Sequence, residues 1–155
     1  MFDKDCGRGR NSRFKTVVAC KGVNVKVLAA PDAWRGNREN RYIPFRVTMG
    51  DRSASFLALH ADGADGLGDV LDHLASWNEA ASPRVVLFGD FNSNGEGRKA
   101  IEGFVDAHPE GETRIEHHSP DTVMYRGVSV SVEGVTAECA CNFSDHFLLT
   151  CTVKL

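Results

Sequence analysis

Gly89-Asp90-Phe91-Asn92 follows directly on the apolar run Val85-Val86-Leu87-Phe88. A carboxylate and an amide two residues apart at a strand end point to the same side. Asp90 could there ligate a hard cation or orient a water while Asn92 donates to a phosphate oxygen. The same pair also suits a capped turn after a strand. Asp145-His146 sets a carboxylate beside an imidazole within a second apolar stretch, Phe143 and Phe147-Leu148-Leu149. Neighbouring residues at a strand end diverge, so one can face a metal while the other, titrating near neutrality, serves as a general base. His60 closes the run Phe56-Leu57-Ala58-Leu59, and Asp121 leads Thr122-Val123-Met124-Tyr125. An aspartate so placed can accept a histidine's second N–H and fix its tautomer. Taken singly, each of these residues also reads as plain structure: a polar break in an edge strand, a strand-end histidine, a loop aspartate. His117-His118 has no third soft ligand at a spacing that makes a transition-metal site.

The elements that must position these groups are mainly strands. Residues 14–20 and 23–29 are β-branched runs separated by Lys21-Gly22, a hairpin signal, and residues 43–49 and 53–59 are strands joined at Gly50-Asp51. From Gly66 the period changes: Leu67, Val70, Leu71, Leu74 and Trp77 fall at helical spacing, predicting an amphipathic helix that ends near Ala80, before Pro83. A strand over 84–88 follows, and strand, helix, strand is the order of a layered α/β protein. Ile101, Phe104 and Val105 predict a short helix over 99–107, and residues 122–132 and 142–153 supply the last strands. Residues 1–13, rich in Gly, Arg, Asp and Asn, read as a flexible arm, and 14–155 as a single domain.

With 155 residues, 42% hydrophobic and 25% charged, the chain suits one globular domain. A formal charge of −3 argues against bulk attraction to nucleic acid, although Arg8, Arg10, Arg13 and Lys15, and again Arg35, Arg38 and Arg41, concentrate positive charge locally. No apolar run approaches the ~20 residues of a spanning helix. The first residues lack the apolar core of a signal peptide, so a soluble, cytoplasmic chain without a membrane partner is expected. Five cysteines (Cys6, Cys20, Cys139, Cys141, Cys151) cannot all pair within one chain and read as mostly reduced thiols.

Taken together, the order His60-Ala61, Gly89-Asp90-Phe91-Asn92, Asp121-Thr122-Val123 and Ser144-Asp145-His146 resembles the endonuclease/exonuclease/phosphatase superfamily, in particular its deoxyribonuclease I and cytolethal distending toxin branches. The likeness takes in the 14–29 hairpin, the strand opening at Arg41 and the 67–77 helix as well. It implies an α+β fold, a β-sandwich flanked by helices in αββα layers, here shortened. It also implies a divalent metal, Mg2+ or Mn2+, and hydrolysis of phosphodiester or phosphomonoester bonds. Carried over by position, His146 looks like the base that activates water and Asp121 like its orienting partner. His60 would donate to the phosphate or leaving group, Asp90 and Asn92 would position water and phosphate, and Asp145, with Asp90, would bind metal. Arg41 loosely matches a phosphate-contacting arginine.

The family pattern also begins with strands bearing an asparagine and a metal-binding glutamate ahead of the hairpin, where this chain has thirteen residues. No sequence argument places Asp3, Asp5 or Glu39 in the glutamate's role. The reading that follows is a metal-dependent phosphodiesterase acting as a nuclease, on DNA more than RNA. Its alternatives are a catalytically impaired domain of the same superfamily that acts as a binding or regulatory module or needs a partner chain, and a phosphatase on small phosphoesters. A sheet stripped of strands bares an edge, which favours a homodimer or a partner chain there.

Overall fold

The computed structural model describes residues 23–34, 41–63, 65–108, 111–114, 120–136 and 146–155. The 14–20 strand, the Lys21-Gly22 turn, the 1–13 arm, both upstream basic groups apart from Arg41, the His117-His118 pair, four of the five cysteines and Asp145 lie outside them. Cys151 is a free thiol.

A six-stranded sheet runs in the order β1-β2-β3-β4-β6-β5. Its members are β1 (Asn24–Val27), β2 (Tyr42–Met49), β3 (Arg52–His60), β4 (Val85–Asp90), β5 (Val105–Asp106) and β6 (Asp121–Arg126). β2 and β3 form a hairpin closed at the expected Gly50-Asp51 turn, where Gly50 takes φ +61. β3 and β4 are parallel, every other pairing is antiparallel, and the crossover between them carries α1 (Gly66–Ser76). β7 (Ser129–Thr136) and β8 (Leu148–Lys154) pair as a separate two-stranded sheet. Among the described residues this is a shortened two-layer sandwich, and no helix is long and apolar enough to cross a membrane.

Alternation along the strands splits the core in two. Tyr42, Leu57, Leu59, Val85, Leu87 and Met124 pack with Trp34, Val70 and Trp77 on the α1 side. Ile43, Phe45, Val47 and Ala58, with Phe56, Phe88 and Leu155, form the other cluster. Each fully buried aliphatic such as Leu57 or Leu87 is worth roughly 1.5–3 kcal/mol, so both faces of the central strands stabilise the sheet.

Three expectations change. The 66–80 helix stops at Ser76: Trp77 turns extended (φ −94, ψ 109) and a short 3-10 turn, Asn78–Ala81, follows. Trp77 is thereby buried, while Leu71 stays exposed. The 99–107 helix is absent. A helix would carry residues 98 and 106 about 12 Å apart, whereas the fully buried Arg98 guanidinium meets Asp106 at 2.7 Å. Helix is confined to α2 (Gly95–Arg98), and Gly103 (φ +77) turns the chain into β5. Finally, the 122–132 run is two strands in two sheets, separated at Gly127 (φ +69), where a Cβ would lie 1.9 Å from the Pro83 carbonyl oxygen.

Gly89 is a stricter case. It takes φ +127 in β4, and a Cβ there would lie 2.0 Å from the Leu59 carbonyl oxygen. Gly89→Ala is expected to lower unfolding stability by at least about 2 kcal/mol. Gly134→Ala, with nothing within 4 Å of the added atom, should change it by under about 1 kcal/mol. Urea melts of the two variants check this, and equal effects would contradict it.

Candidate active site

Strand register does most of the assembly. His60 is the Cα partner of Asp90 across β3 and β4, and Asp90 is the partner of Asp121 across β4 and β6. The three residues therefore stand in a row, at the carboxyl ends of two parallel strands and the start of an antiparallel one, the end of an open α/β sheet where ligand sites collect. Alternation puts them in phase with Phe56, Phe88 and Val123.

His146 joins the row from the segment preceding β8. Its Nδ1 lies 2.7 Å from Asp121 Oδ2. An ionised carboxylate can only accept, so Nδ1 carries the hydrogen, and in the neutral ring Nε2 keeps its lone pair. That Nε2 lies 3.8 Å from Asp90 Oδ2, and His60 Nε2 lies 3.8 Å from the same oxygen on the other side. Asp90 is thus flanked by two imidazoles. Thr113, fully buried, braces the His146 half: its hydroxyl accepts from the Asp121 N–H (3.0 Å) and its carbonyl from the Phe147 N–H (2.8 Å). The adjacent Arg114 pairs with His146 in an antiparallel bridge.

Asn92 takes φ +45, a left-handed conformation that asparagine tolerates better than most residues. Its N–H donates to Asp90 Oδ1 (2.7 Å) and its side-chain amide to the Ala61 carbonyl (2.8 Å). Arg41 Nη1 donates to the same carbonyl (3.2 Å) and lies 4.0 Å from Asp62. Asp69 on α1, buried, accepts from the Tyr42 hydroxyl (2.7 Å) and the Asp62 N–H (2.9 Å). Gly66 lets the helix start come close to the site turn, since a Cβ would meet the Phe91 carbonyl oxygen at 2.4 Å.

Every expected site residue within the described segments, His60, Asp90, Asn92, Asp121, His146 and Arg41, thus lies in one region. Sequence reasoning missed Thr113, Arg114, Asp69 and the Ala61 carbonyl. Asp69 had a faint signal, an acidic residue on the face of α1 that also buries Gly66, Val70 and His73. A backbone carbonyl and a lone threonine have none.

Burial pushes the Asp90 carboxyl up; the Asn92 N–H opposes this and the Asp121 carboxylate adds to it. Burial likewise lowers His60, against the pull of Asp90 and helped by Arg41 and His146. Two carboxylates and an imidazole, Asp90, Asp121 and His146, offer ligand atoms within 4.8 Å of one another. A desolvated carboxylate crowded by a second one is the environment that a cation relieves, so the Asp90 carboxylate fits a hard divalent ion.

No protein-family model matches the sequence, and no curated protein matches it. Solved structures do share its fold. A functionally unknown conserved protein from Enterococcus faecalis V583 matches with TM-score 0.52 at 20% identity, over 72% of this chain and 54% of that one. D. rerio TDP2 complexed with single strand DNA product matches with TM-score 0.56 at 14% identity, over 84% and 69%. CdtB, the biologically active subunit of Cytolethal Distending Toxin, matches with TM-score 0.53 at 15% identity, over 83% and 56%. TDP2 and CdtB are deoxyribonuclease I-like members of the endonuclease/exonuclease/phosphatase superfamily, and the present fold is that one in shortened form. The chain spans between 54% and 69% of the length of these three structures.

The Asp90 shift has a definite sign. The folded protein holds this proton more tightly than the unfolded chain, so stability falls as pH rises from the ordinary carboxylate value through the raised one. His60 acts oppositely: the unfolded chain binds its proton more tightly, so stability is lost as pH falls from 6.5 through the lowered value. Asp90→Asn should therefore melt above wild type in metal-free buffer at neutral pH. The gain should vanish near roughly pH 3, where wild-type Asp90 is protonated too. A variant that melts lower at neutral pH would contradict this account of Asp90.

Proposed function

We propose that the chain is a divalent-metal-dependent phosphodiesterase, a nuclease acting on the backbone of DNA or RNA. The observation that carries this reading is the alignment of His60, Asp90 and Asp121 in register, with His146 hydrogen-bonded to Asp121. A likeness in fold to a protein complexed with single strand DNA product supports the substrate class.

His146 Nε2, which keeps its lone pair in the neutral ring whose Nδ1–H donates to Asp121, takes a proton from water as the water oxygen attacks phosphorus. The bond to phosphorus forms in line with the breaking ester bond, and the proton passes on to the leaving oxygen or to solvent. Asp121 holds the ring and stabilises the imidazolium that forms. His60, kept neutral by burial, donates an N–H hydrogen bond to a phosphoryl oxygen or to the leaving oxygen. Asn92, pinned by the Ala61 carbonyl, presents its amide edge to the phosphate, and Arg41 adds positive charge beside His60. Asp90 would hold Mg2+ or Mn2+, with Asp145 from outside the described residues. Bound there, the ion would neutralise charge on the phosphoryl oxygens. A partner chain or second copy at β1 or β5, the outer strands of the large sheet among the described residues, also belongs to this reading.

Plasmid should be cleaved in Mg2+ or Mn2+ and left intact in chelator. His146→Ala should lose about 10²–10⁴ in rate. Either ion should raise the melting temperature of the wild type. Hydrolysis of small phosphoesters without cleavage of nucleic acid would move the assignment to a phosphatase. Absence of any hydrolysis together with absence of metal stabilisation would sink the enzyme.

A further inference from the structure

We infer that the two imidazoles flanking Asp90 form, with its carboxylate, a zinc site that shuts the enzyme off: Zn2+ held by His60 Nε2, Asp90 Oδ2 and His146 Nε2 occupies the atoms that the reaction needs. The inference rests on the phosphodiesterase reading above and concerns the regulation of the same site.

His60 Nε2 and His146 Nε2 each lie 3.8 Å from the same oxygen, Asp90 Oδ2. The other oxygen, Oδ1, accepts from the Asn92 N–H at 2.7 Å, so the two roles of the carboxylate fall on different atoms. Donor atoms around a tetrahedral Zn2+ with bonds of about 2.0–2.1 Å stand about 3.3–3.4 Å apart, so each ring has about 0.4–0.5 Å to close. Both rings are part-exposed, at 30% and 26% of their side-chain surface, which leaves an ion a way in. Two imidazoles and one carboxylate are a donor set that zinc takes with a fourth position left to solvent. Mg2+ prefers oxygen donors and keeps most of its waters, whereas nitrogen donors favour the later first-row metals. Asp90 alone thus serves the hard ion of the proposed reaction, and the rings add to the site for a borderline one.

Asp121 completes the arrangement from behind the ring. It accepts the His146 Nδ1–H at 2.7 Å, and a carboxylate so placed fixes the tautomer whose Nε2 lone pair binds metal. The two ring nitrogens point apart, so Asp121 orients the ligand without reaching the same ion. The consequence for the reaction is competition at three atoms. The His146 lone pair that would take the proton from water is the one that binds zinc. The neutral His60 ring that ligates through Nε2 no longer has an N–H there to give to phosphate, and Asp90 is withdrawn from Mg2+.

The test begins with zinc binding by calorimetry in Mg2+-free buffer, so that turnover does not enter. Wild type should show a Zn2+ equivalent that His60→Gln and His146→Gln each weaken at least about tenfold and that Asp121→Asn weakens about 10–100-fold. The His117→Gln/His118→Gln double variant, changed at the sequence's other histidine pair, should keep it. Co2+ on wild type, which needs no variant to fold, should give the visible bands of a four-coordinate nitrogen–oxygen site without the near-ultraviolet band of a cysteine thiolate. In plasmid cleavage with excess Mg2+, stoichiometric Zn2+ should lower the rate at least about tenfold, since it removes the general base, and a zinc-selective chelator that spares Mg2+ should restore it. Zinc binding undiminished in both single-histidine variants, or a thiolate band as the only cobalt signal, would overturn the inference and move the ion to cysteines. Zn2+ that sustains cleavage in place of Mg2+ would overturn it as well, making zinc the working ion. Wild type that cleaves with Mg2+ and ignores Zn2+ would remove the inference and keep the enzyme. Wild type that binds Zn2+ through both histidines but hydrolyses nothing with any ion would leave the zinc site standing and remove the enzyme.

Discussion

Asp90 is a carboxylate that the fold keeps under electrostatic stress. It is 8% exposed, faces Asp121 across the next strand, and lies 3.8 Å from each of two imidazole nitrogens that do not hydrogen-bond it. Its one close stabilising contact from the flanking turn is the Asn92 N–H. Much of the remaining structure follows from holding that group in place. Gly89 gives the strand the φ of +127 that lets it approach the Leu59 carbonyl. Asn92 accepts a left-handed backbone to close the turn, and Gly66 lets α1 press against it. The Phe91 N–H is taken by the Pro120 carbonyl and the Asp90 carbonyl by the Ala61 N–H, so the backbone of the turn is tied to both neighbouring strands.

A second set of contacts fixes the turn from behind. The Arg98 guanidinium, fully buried, donates to the Ser93 carbonyl and to Asp106, and Asp106 in turn accepts from the Thr122 hydroxyl and the His108 N–H. One ionic network thus links the residue after Asn92 to the residue after Asp121. Burying such a pair gains little net stability, because desolvation cancels most of the attraction. What it supplies here is geometry: the turn bearing Asp90 and the strand bearing Asp121 cannot shift independently without leaving a buried charge unpaired. The same network explains why residues 99–107 are not helical, since Asp106 must come back to Arg98.

The strands carrying His60, Asp90 and Asp121 were legible in the sequence because they alternate or run apolar over several residues and break at a polar group. The β2–β3 turn was legible because Gly50-Asp51 has few other uses. What escaped was set by contacts remote in sequence. Nothing local distinguishes Arg98 from a surface arginine on a helix; its burial depends on Asp106 and the Ser93 carbonyl. Gly127 gave no sign that one apparent strand changes sheets, because the obstacle to continuing is the Pro83 carbonyl, 44 positions away. The end of α1 was misplaced because Trp77 satisfies helical spacing but is buried by leaving the helix. At the site, the row of three was implied by the motif order, while Thr113 and Arg114 entered through backbone pairing that no residue type announces.

The two halves of the row are held by different means. On the His60 side, Arg41 and Asn92 meet at the Ala61 carbonyl, and Asp69 anchors the next residue to α1 and to Tyr42, whose ring stacks on His73 at 3.6 Å between centroids. That half rests on a close-packed apolar layer. A cavity of about 530 Å³ between the two sheets is bordered by Asp121 and by Phe56 and Phe88, the residues in phase with His60 and Asp90, so it underlies the whole row. On the Asp121 side, placement is set by directional bonds: Thr113 to Asp121 and Phe147, and His146 to Asp121. In the proposed chemistry, the groups assigned to phosphate are thus held from the α1 side of the sheet, and the pair assigned to proton transfer from the Thr113 segment and the start of β8.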